Sequence, residues 1–342
     1  MTRVSIIGDR FMAPEVFEAA LPKAGLDCRL HQLAWPDEPF VNACETGELA
    51  GLKEFMGEPG QIASMIGDAE VLVTHLAPVS ASILERCPSL RLIGVSRGGP
   101  VNIDRAACAA RAVQVVNAPG RNASAVAEFT IGAILMETRL MRAGHEALRQ
   151  GIWRGDLYRA DLTGPELSEL TVGLIGYGQI GTRVVKLLRP FGCRILVADP
   201  YKTLDADDAA HGVVMTDLAD LLARSDVVSL HARVTDETRG FLAAPEFAAM
   251  QRGAWFINTA RGPMVNYPDL CAALESGHLR GAMLETFWQE PPPADSPLLR
   301  LPNVTLTPHI AGASTTTVRI AAAMVAEEIR RWRAGEPFLN PC

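Results

Sequence analysis

Three ionisable residues in the second half of the chain each follow a short apolar run. Arg261 lies in INTARG, Glu290 in LETFWQEPPP and His309 in LTPHIAG. Their types divide one reaction among them. An imidazole, with an ordinary pKa of about 6.5, can take or return a proton near neutral pH. A carboxylate beside it can orient the ring and stabilise its charged form. A guanidinium can polarise a carbonyl and hold a carboxylate through two parallel donors. Taken singly, each has an ordinary explanation: a core histidine, a surface ion pair, a solvated loop carboxylate. Open α/β sheets gather their ligands past the carboxyl ends of strands, so the joint placement favours a shared catalytic role.

The reacting partner is suggested by residues 171–200, TVGLIGYGQIGTRVVKLLRPFGCRILVADP. An apolar run over 172–175 leads into Gly176-Tyr177-Gly178-Gln179-Ile180-Gly181. A helical pattern carrying Val184, Val185, Leu187 and Leu188 follows, and a second apolar run over 195–198 ends in Asp199. Such a unit grips a dinucleotide. Gly176 permits the turn out of the strand, Gly178 lets backbone approach a pyrophosphate, and Gly181 lets the helix sit close to the sheet. The helix N-terminus offers unpaired N–H groups to the phosphates. Asp199 can accept hydrogen bonds from both adenosine ribose hydroxyls. A lone GxGxxG is common, whereas strand, glycines, helix, second strand and terminal acid together are specific. Hydride transfer between a nicotinamide and a carbinol carbon calls for a base, an orienting carboxylate and a cation beside the cofactor. That is the set found at 261, 290 and 309.

The elements that must position these groups alternate. Apolar runs at 4–7, 71–74, 90–95 and 113–116 precede the glycine motif, with helical segments at 14–24, 80–86 and 104–111. Residues 35–60, with Pro36, Pro39, Gly47, Gly51, Gly57 and Pro59, read as loop with helical pieces possible. One long helical pattern spans 124–150, and 155–169 reads as a connecting loop. Strand patterns follow at 226–231, 255–259, 281–287 and 304–307, and helices at 217–224, 245–251 and 268–276. A closing helix over 314–334 carries Val318, Ala322, Val325, Ile329 and Trp332 on one face, with Gly335 as its cap. Strands alternating with helices predict an α/β protein with two doubly wound parallel-sheet domains. A Rossmann coenzyme domain, 118–311, is inserted into a flavodoxin-like substrate domain made of 1–117 plus 312–342.

Composition bounds the function. A net charge of −7 opposes a nucleic-acid binder, which usually shows a basic face. No apolar run has the length needed to span a bilayer, and MTRVSIIGDRF has no signal-peptide stretch. The cysteines at 28, 44, 87, 108, 193, 271 and 342 form no C-x-x-C pair, as expected of thiols in a reducing cytoplasm. The histidines show no ligand spacing, so no metal is expected.

With these motifs in place the chain resembles the D-isomer-specific 2-hydroxyacid dehydrogenases. The family includes glyoxylate/hydroxypyruvate reductases and 3-phosphoglycerate dehydrogenases. The likeness covers nearly the whole chain and includes NIDRAA at 102–107, NAPGRNASAVAE at 117–128, ELTVGLIGYGQIG at 169–181, SLHARVTDET at 229–238, INTARG at 257–262 and TPHIAGAS at 307–314. It implies NAD as cofactor and a small hydroxy or keto acid as substrate. The catalytic trio then falls on Arg261, Glu290 and His309. Cofactor contacts would come from Gly176, Gly178, Gln179, Ile180, Gly181, Asp199, His231, Ala232, Arg233, Thr238, Thr259, Ala260, Glu285 and His309. Substrate contacts would come from Arg97, Gly98, Gly99 and Arg261, with the backbone of 96–101 cradling a carboxylate. The resemblance also implies a homodimer through the coenzyme domain, engaging the helix that starts near Ser124.

Departures from the family pattern qualify this. Glu285 stands where an aspartate is usual, near the nicotinamide carboxamide. Arg233 replaces a proline of H-x-P-L-T. The substrate loop reads Ser96-Arg97-Gly98-Gly99-Pro100-Val101-Asn102 where G-x-G-[TV]-D-N is more usual. Phosphoglycerate dehydrogenases typically offer arginines from the stretches at 74–76 and 94–95, and neither has one here. Arg97 is the one cation close by in the sequence. The expected substrate is therefore non-phosphorylated, with a phosphoglycerate-dehydrogenase-type enzyme and an NAD(H)-sensing corepressor-like binding protein as alternatives. Formate dehydrogenases pair the histidine with glutamine, and Glu290 counts against them.

Overall fold

Short runs of aliphatic residues become buried parallel strands in both halves of the chain. The computed structural model describes residues 1–35 and 44–342, so Pro36 and Pro39 of the expected loop lie outside the described residues. Contacts divide the chain into two units: Met1–Asn122 with Ala313–Cys342, and Ala123–Gly312.

The first unit holds β1 (Thr2–Gly8), β2 (Leu26–Gln32), β3 (Val71–Thr74), β4 (Leu92–Val95) and β5 (Gln114–Val116), all parallel in the order β2-β1-β3-β4-β5. Every residue of β3 and β4 is buried, as a parallel strand covered on both faces requires. Side chains alternate between two cores: Leu72 and Ile93 face one, Val71, Val73 and Leu92 the other. The closing helix Thr315–Ala334 supplies Ala321, Ala322, Val325, Ala326 and Ile329 to the second core. It lies so close that a Cβ on Gly94 of β4 would stand 2.7 Å from Val325 Cγ1. Gly335, at φ 68°, ends it. The strand β2 was not expected. It is an edge strand whose Leu26, Cys28 and Leu30 alternate with Asp27, Arg29 and His31, and half-exposure hides it from an apolar-run reading.

The second unit holds β6 (Thr171–Ile175), β7 (Arg194–Ala198), β8 (Val214–Met215), β9 (Val227–Leu230), β10 (Trp255–Asn258), β11 (Gly281–Leu284) and β12 (Val304–Leu306). They run parallel in the order β12-β11-β10-β9-β6-β7-β8. The order reverses between β6 and β9, so the glycine turn after β6 and His231 after β9 flank the switch point. The pattern over 124–150 is not one helix. It divides into Ala123–Thr138 and Met141–Arg149, because Leu140 adopts φ 56°. Gly164 of the connecting segment passes against the break, where a Cβ would lie 1.5 Å from the Thr138 carbonyl oxygen.

Candidate active site

The three polar groups singled out first all belong to the second unit, past the carboxyl ends of adjacent strands. Arg261 follows β10, Glu290 follows β11 and His309 follows β12. His309 Nδ1 lies 2.8 Å from Glu290 Oε2. A carboxylate can only accept, so Nδ1 carries the proton and Nε2 is left for a substrate. The other Glu290 oxygen accepts the Phe287 N–H at 3.0 Å, which fixes the carboxylate. Burial pushes the Glu290 pKa up, but the His309 hydrogen bond and charge, the Phe287 N–H and the Arg261 charge outweigh it and hold the carboxyl below its ordinary range. Arg261 is exposed and anchors Nη1 on the Ala260 carbonyl at 2.7 Å. Asn258 holds this strand end: its side chain accepts the Ala260 N–H at 3.0 Å and donates to the Arg261 carbonyl at 3.3 Å. Tyr267 does the same beneath Glu290, donating its hydroxyl to the Thr286 carbonyl at 2.6 Å and lying against Trp288 with ring centroids 4.6 Å apart.

Glu285 is wholly buried at the end of β11 and faces the turn that carries His309. Its carboxylate accepts from the Thr307 hydroxyl and the Ala311 N–H, while its carbonyl accepts the His309 N–H at 3.0 Å. The extra methylene relative to aspartate is taken up in reaching that turn. Burial raises its pKa against the opposing hydrogen bonds. His309 itself sits at φ 55°, a conformation that side-chain-bearing residues rarely adopt, and the Glu285 contacts hold it there.

The residues about β6 fit a dinucleotide. Gly176 has φ 105°, and a Cβ there would stand 2.7 Å from the His231 carbonyl carbon. A Cβ on Gly181 would stand 2.2 Å from the Gly176 oxygen. At Gly178 a Cβ would meet nothing within 4 Å, so the protein's own packing does not require glycine there. That space is open to an approaching ligand. Gln179 is exposed and Ile180 half-buried beside it. Asp199, at the end of β7, accepts the Tyr177 N–H at 2.8 Å and the Tyr201 N–H at 2.9 Å, which fixes its carboxylate at the glycine turn. His231 pairs Nε2 with Ser229 Oγ at 2.9 Å, and burial pushes its pKa down to about 3, so the ring is neutral. Its Nδ1 is buried without a partner among the described residues. Ala232 is half-buried and Arg233 exposed. Thr238 ties this loop by donating to the Arg233 carbonyl at 2.6 Å. Thr259 turns its hydroxyl to Thr130 Oγ1 at 2.8 Å, inside the unit.

The substrate-loop residues lie in the first unit. Arg97 pairs with the Glu54 carboxylate and donates Nη1 to the Glu54 carbonyl at 2.9 Å. Gly98 and Gly99 are exposed, and they line a concave space of about 750 Å³ with Lys53, Arg105 and Cys342. Sequence reasoning missed Asp9, His75 and Arg121, which the same unit gathers into one hydrogen-bonded cluster. Their signal was available, since Asp9 and His75 immediately follow β1 and β3. Among the described residues one acidic group, Asp205, Asp207 and Asp208, comes within metal-ligating reach. Its carboxylates are engaged by Arg189, Tyr177 and the Asp208 N–H.

Comparison with known proteins places this geometry. Residues 131–311 match the sequence profile of the D-isomer specific 2-hydroxyacid dehydrogenase NAD binding domain. YoaD of Bacillus subtilis (strain 168), whose name places it among 2-hydroxyacid dehydrogenases, is 38% identical over 80% of this chain and 79% of its own. A glyoxylate reductase of Thermofilum pendens is 36% identical over 79% of this chain and 80% of its own. A D-3-phosphoglycerate dehydrogenase of Methanocaldococcus jannaschii is 34% identical over 81% of this chain, but over 52% of its own length. The crystal structure of TT0316 protein from Thermus thermophilus covers 99% of both chains at a TM-score of 0.79 and 29% identity. The chain belongs to the D-isomer specific 2-hydroxyacid dehydrogenase family. The cofactor of its coenzyme domain is NAD. No helix among the described residues is long and apolar enough to cross a membrane.

Proposed function

We propose that this protein interconverts a small, non-phosphorylated 2-keto acid and the corresponding D-2-hydroxy acid, using NAD(H). The observation that carries the reading is the 2.8 Å pairing of His309 Nδ1 with Glu290 at the ends of β12 and β11. Bound NADH supplies a hydride to C2 of the keto acid. His309 Nε2 delivers the proton to the C2 oxygen, and takes it back in the oxidative direction. Glu290 stabilises the imidazolium before that transfer and keeps Nε2 turned outward. Arg261 holds the substrate carboxylate and polarises the carbonyl. On the first unit, Gly98 and Gly99 offer backbone N–H groups able to cradle a carboxylate, and Arg97, paired with Glu54, is the substrate-binding cation of that loop. Asp199 favours NAD(H), since its fixed carboxylate would repel a 2′-phosphate. Gly176, Gly178, Gln179, Ile180, Gly181, His231, Ala232, Arg233, Thr238, Thr259, Ala260 and Glu285 make up the rest of the cofactor site.

The protein acts in the cytoplasm as a homodimer built on the coenzyme domain. Helix Met141–Arg149 buries none of its residues, and Met141, Leu148, Ile152, Trp153 and Tyr158 expose apolar side chains along the same stretch. Several large apolar side chains exposed along one segment favour its use as an interface. The test is initial-rate oxidation of NADH with glyoxylate, hydroxypyruvate, pyruvate and 3-phosphohydroxypyruvate. Turnover of the unphosphorylated acids is expected. A marked preference for the phosphorylated one overturns the substrate assignment.

A further inference from the structure

Asp208 of the second unit is wholly buried, and no step of the proposed reaction uses it. A buried carboxylate is costly unless it is paired and hydrogen-bonded, and this one is both. Oδ1 accepts Arg189 Nη1 at 3.0 Å, and Oδ2 accepts the hydroxyl of Tyr177. Arg189 lies just past the helix Gly181–Leu188 that follows the glycine turn, and Tyr177 lies within the turn itself. Burial, and after it the Asp208 hydrogen bond, pushes the Tyr177 pKa up to about 12, so the phenol keeps its proton and donates.

The Tyr177 ring is 4% exposed and belongs to the same core as Val184, Val197 and Val213. A phenylalanine would serve for that packing. The hydroxyl adds something else. Besides donating to Asp208 it accepts the Asp205 N–H at 3.4 Å, and Asp205 in turn accepts the Asp208 N–H at 2.7 Å. At its other end, the Tyr177 backbone N–H goes to Asp199 Oδ2 at 2.8 Å. One residue of the glycine turn thus pins both ends of the segment 199–205 that leaves β7. Between the pins Tyr201, Lys202 and Thr203 are exposed, and the Tyr201 N–H takes the second Asp199 oxygen at 2.9 Å.

Asp199 is the acceptor for the adenosine ribose, so the freedom of its carboxylate decides which ribose binds. Two free hydroxyls are held best by acceptors already in place. A 2′-phosphate needs the carboxylate to turn aside and the segment to widen, and both require the pins to yield.

We propose that the Tyr177 hydroxyl, anchored on Asp208, is a specificity determinant for the cofactor. It keeps the segment 199–205 in the form that accepts a free 2′-hydroxyl and refuses a 2′-phosphate. Tyr177 acts through Asp199, so it and Asp208 are positioning residues. This rests on the reading of Asp199 as the ribose acceptor, and adds rigidity to charge as a second source of selectivity.

Fluorescence titration of NADH and NADPH gives the two Kd values of each variant without turnover, and thermal melting gives its stability. In Tyr177→Phe the ratio of the NADPH Kd to the NADH Kd should fall about tenfold, mainly through weaker NADH binding, because the hydrogen bonds to the charged acceptor are no longer preorganised. Asp208→Asn keeps a partner for the hydroxyl but gives up the Arg189 ion pair. Its Tm should fall while its ratio stays within about twofold of wild type. If Tyr177→Phe does not fold, Asp208→Ala, which leaves the hydroxyl unanswered, serves with the same readouts. A lowered Tm with an unchanged ratio in Tyr177→Phe makes the hydroxyl a prop for stability alone, and overturns the proposal while leaving the Asp199 reading intact. A ratio that falls as far in Asp208→Asn overturns it too. A wild-type ratio near one removes the Asp199 reading and the proposal together.

Discussion

Glu285 holds the turn that presents His309 from both sides. Its backbone carbonyl accepts the His309 N–H at 3.0 Å, and its carboxylate takes the Ala311 N–H just beyond. The residue expected to sit near the nicotinamide carboxamide thus has its carboxylate spent on the turn that carries His309, the proposed acid–base residue.

Replacing Glu285 with Ala should therefore strand the Ala311 N–H and the Thr307 hydroxyl, at about 1–3 kcal/mol for each buried group left unpaired. His309 would lose its fixed position, and kcat should fall by roughly 100-fold. Glu285→Gln retains an acceptor for Ala311 and should keep most activity. The two variants also separate by pH. Because burial raises the Glu285 pKa, its contribution to stability is fully present below the ordinary glutamate value and is lost as pH rises through the folded-state value. Wild type minus Glu285→Gln stability, read from urea midpoints, should drop as pH rises above the ordinary glutamate range. A difference independent of pH would contradict it.

The glycine turn gives a contrast within three residues. Gly176→Ala and Gly181→Ala place a methyl 2.7 Å and 2.2 Å from backbone atoms, so both should lower Tm. Gly178→Ala meets only open space, and its Tm should stay at the wild-type value while NADH binding weakens. Equal effects on Tm at all three positions would refute the assignment of Gly178 to cofactor approach. Differential scanning fluorimetry with and without NADH makes the comparison.

Cofactor choice rests on Asp199. Its carboxylate is fixed by the Tyr177 and Tyr201 N–H groups, so it cannot swing away from a 2′-phosphate without losing both. The kcat/KM for NADH should exceed that for NADPH by roughly 100-fold at low salt, from like-charge repulsion. Arg233 and Lys202, both exposed, are the cations able to compensate. Comparable values for the two cofactors would show that they do.

Self-association is predicted to depend on the exposed apolar stretch after helix Met141–Arg149. Trp153, 82% exposed, and Ile152, 51% exposed, are its most accessible members short of Tyr158. Changing both to Asp should convert a dimer to a monomer in sedimentation velocity while Tm falls only slightly. A wild-type monomer at micromolar concentration would dismiss the dimer.

Much of this arrangement could be read from the sequence because its signals are local. The glycine turn, the strand–helix alternation and the strand-end positions of Arg261, Glu290 and His309 each sit within one short segment. What escaped was set by distance or by mixed polarity. Leu26–Gln32 is an edge strand with alternating charges, so no apolar run marks it. Leu140 breaks a continuous helical pattern because a segment two dozen residues further on packs against Thr138, which helix periodicity cannot show. Arg97 was read as the one cation beside the substrate loop. Arg121 is a second, brought to His75 across 46 positions of sequence.

The central claim is that His309, paired with Glu290, moves the proton at the C2 oxygen. Steady-state kinetics of His309→Gln in both directions, with NADH affinity read in parallel by fluorescence titration, tests it most directly. The account predicts that kcat falls by about 100-fold or more for both keto-acid reduction and hydroxy-acid oxidation, the usual worth of a positioned acid–base group. It also predicts that the Kd for NADH stays within about twofold of wild type. Near-normal kcat with weakened NADH binding would contradict it, and would make the imidazole a structural prop for the turn held by Glu285.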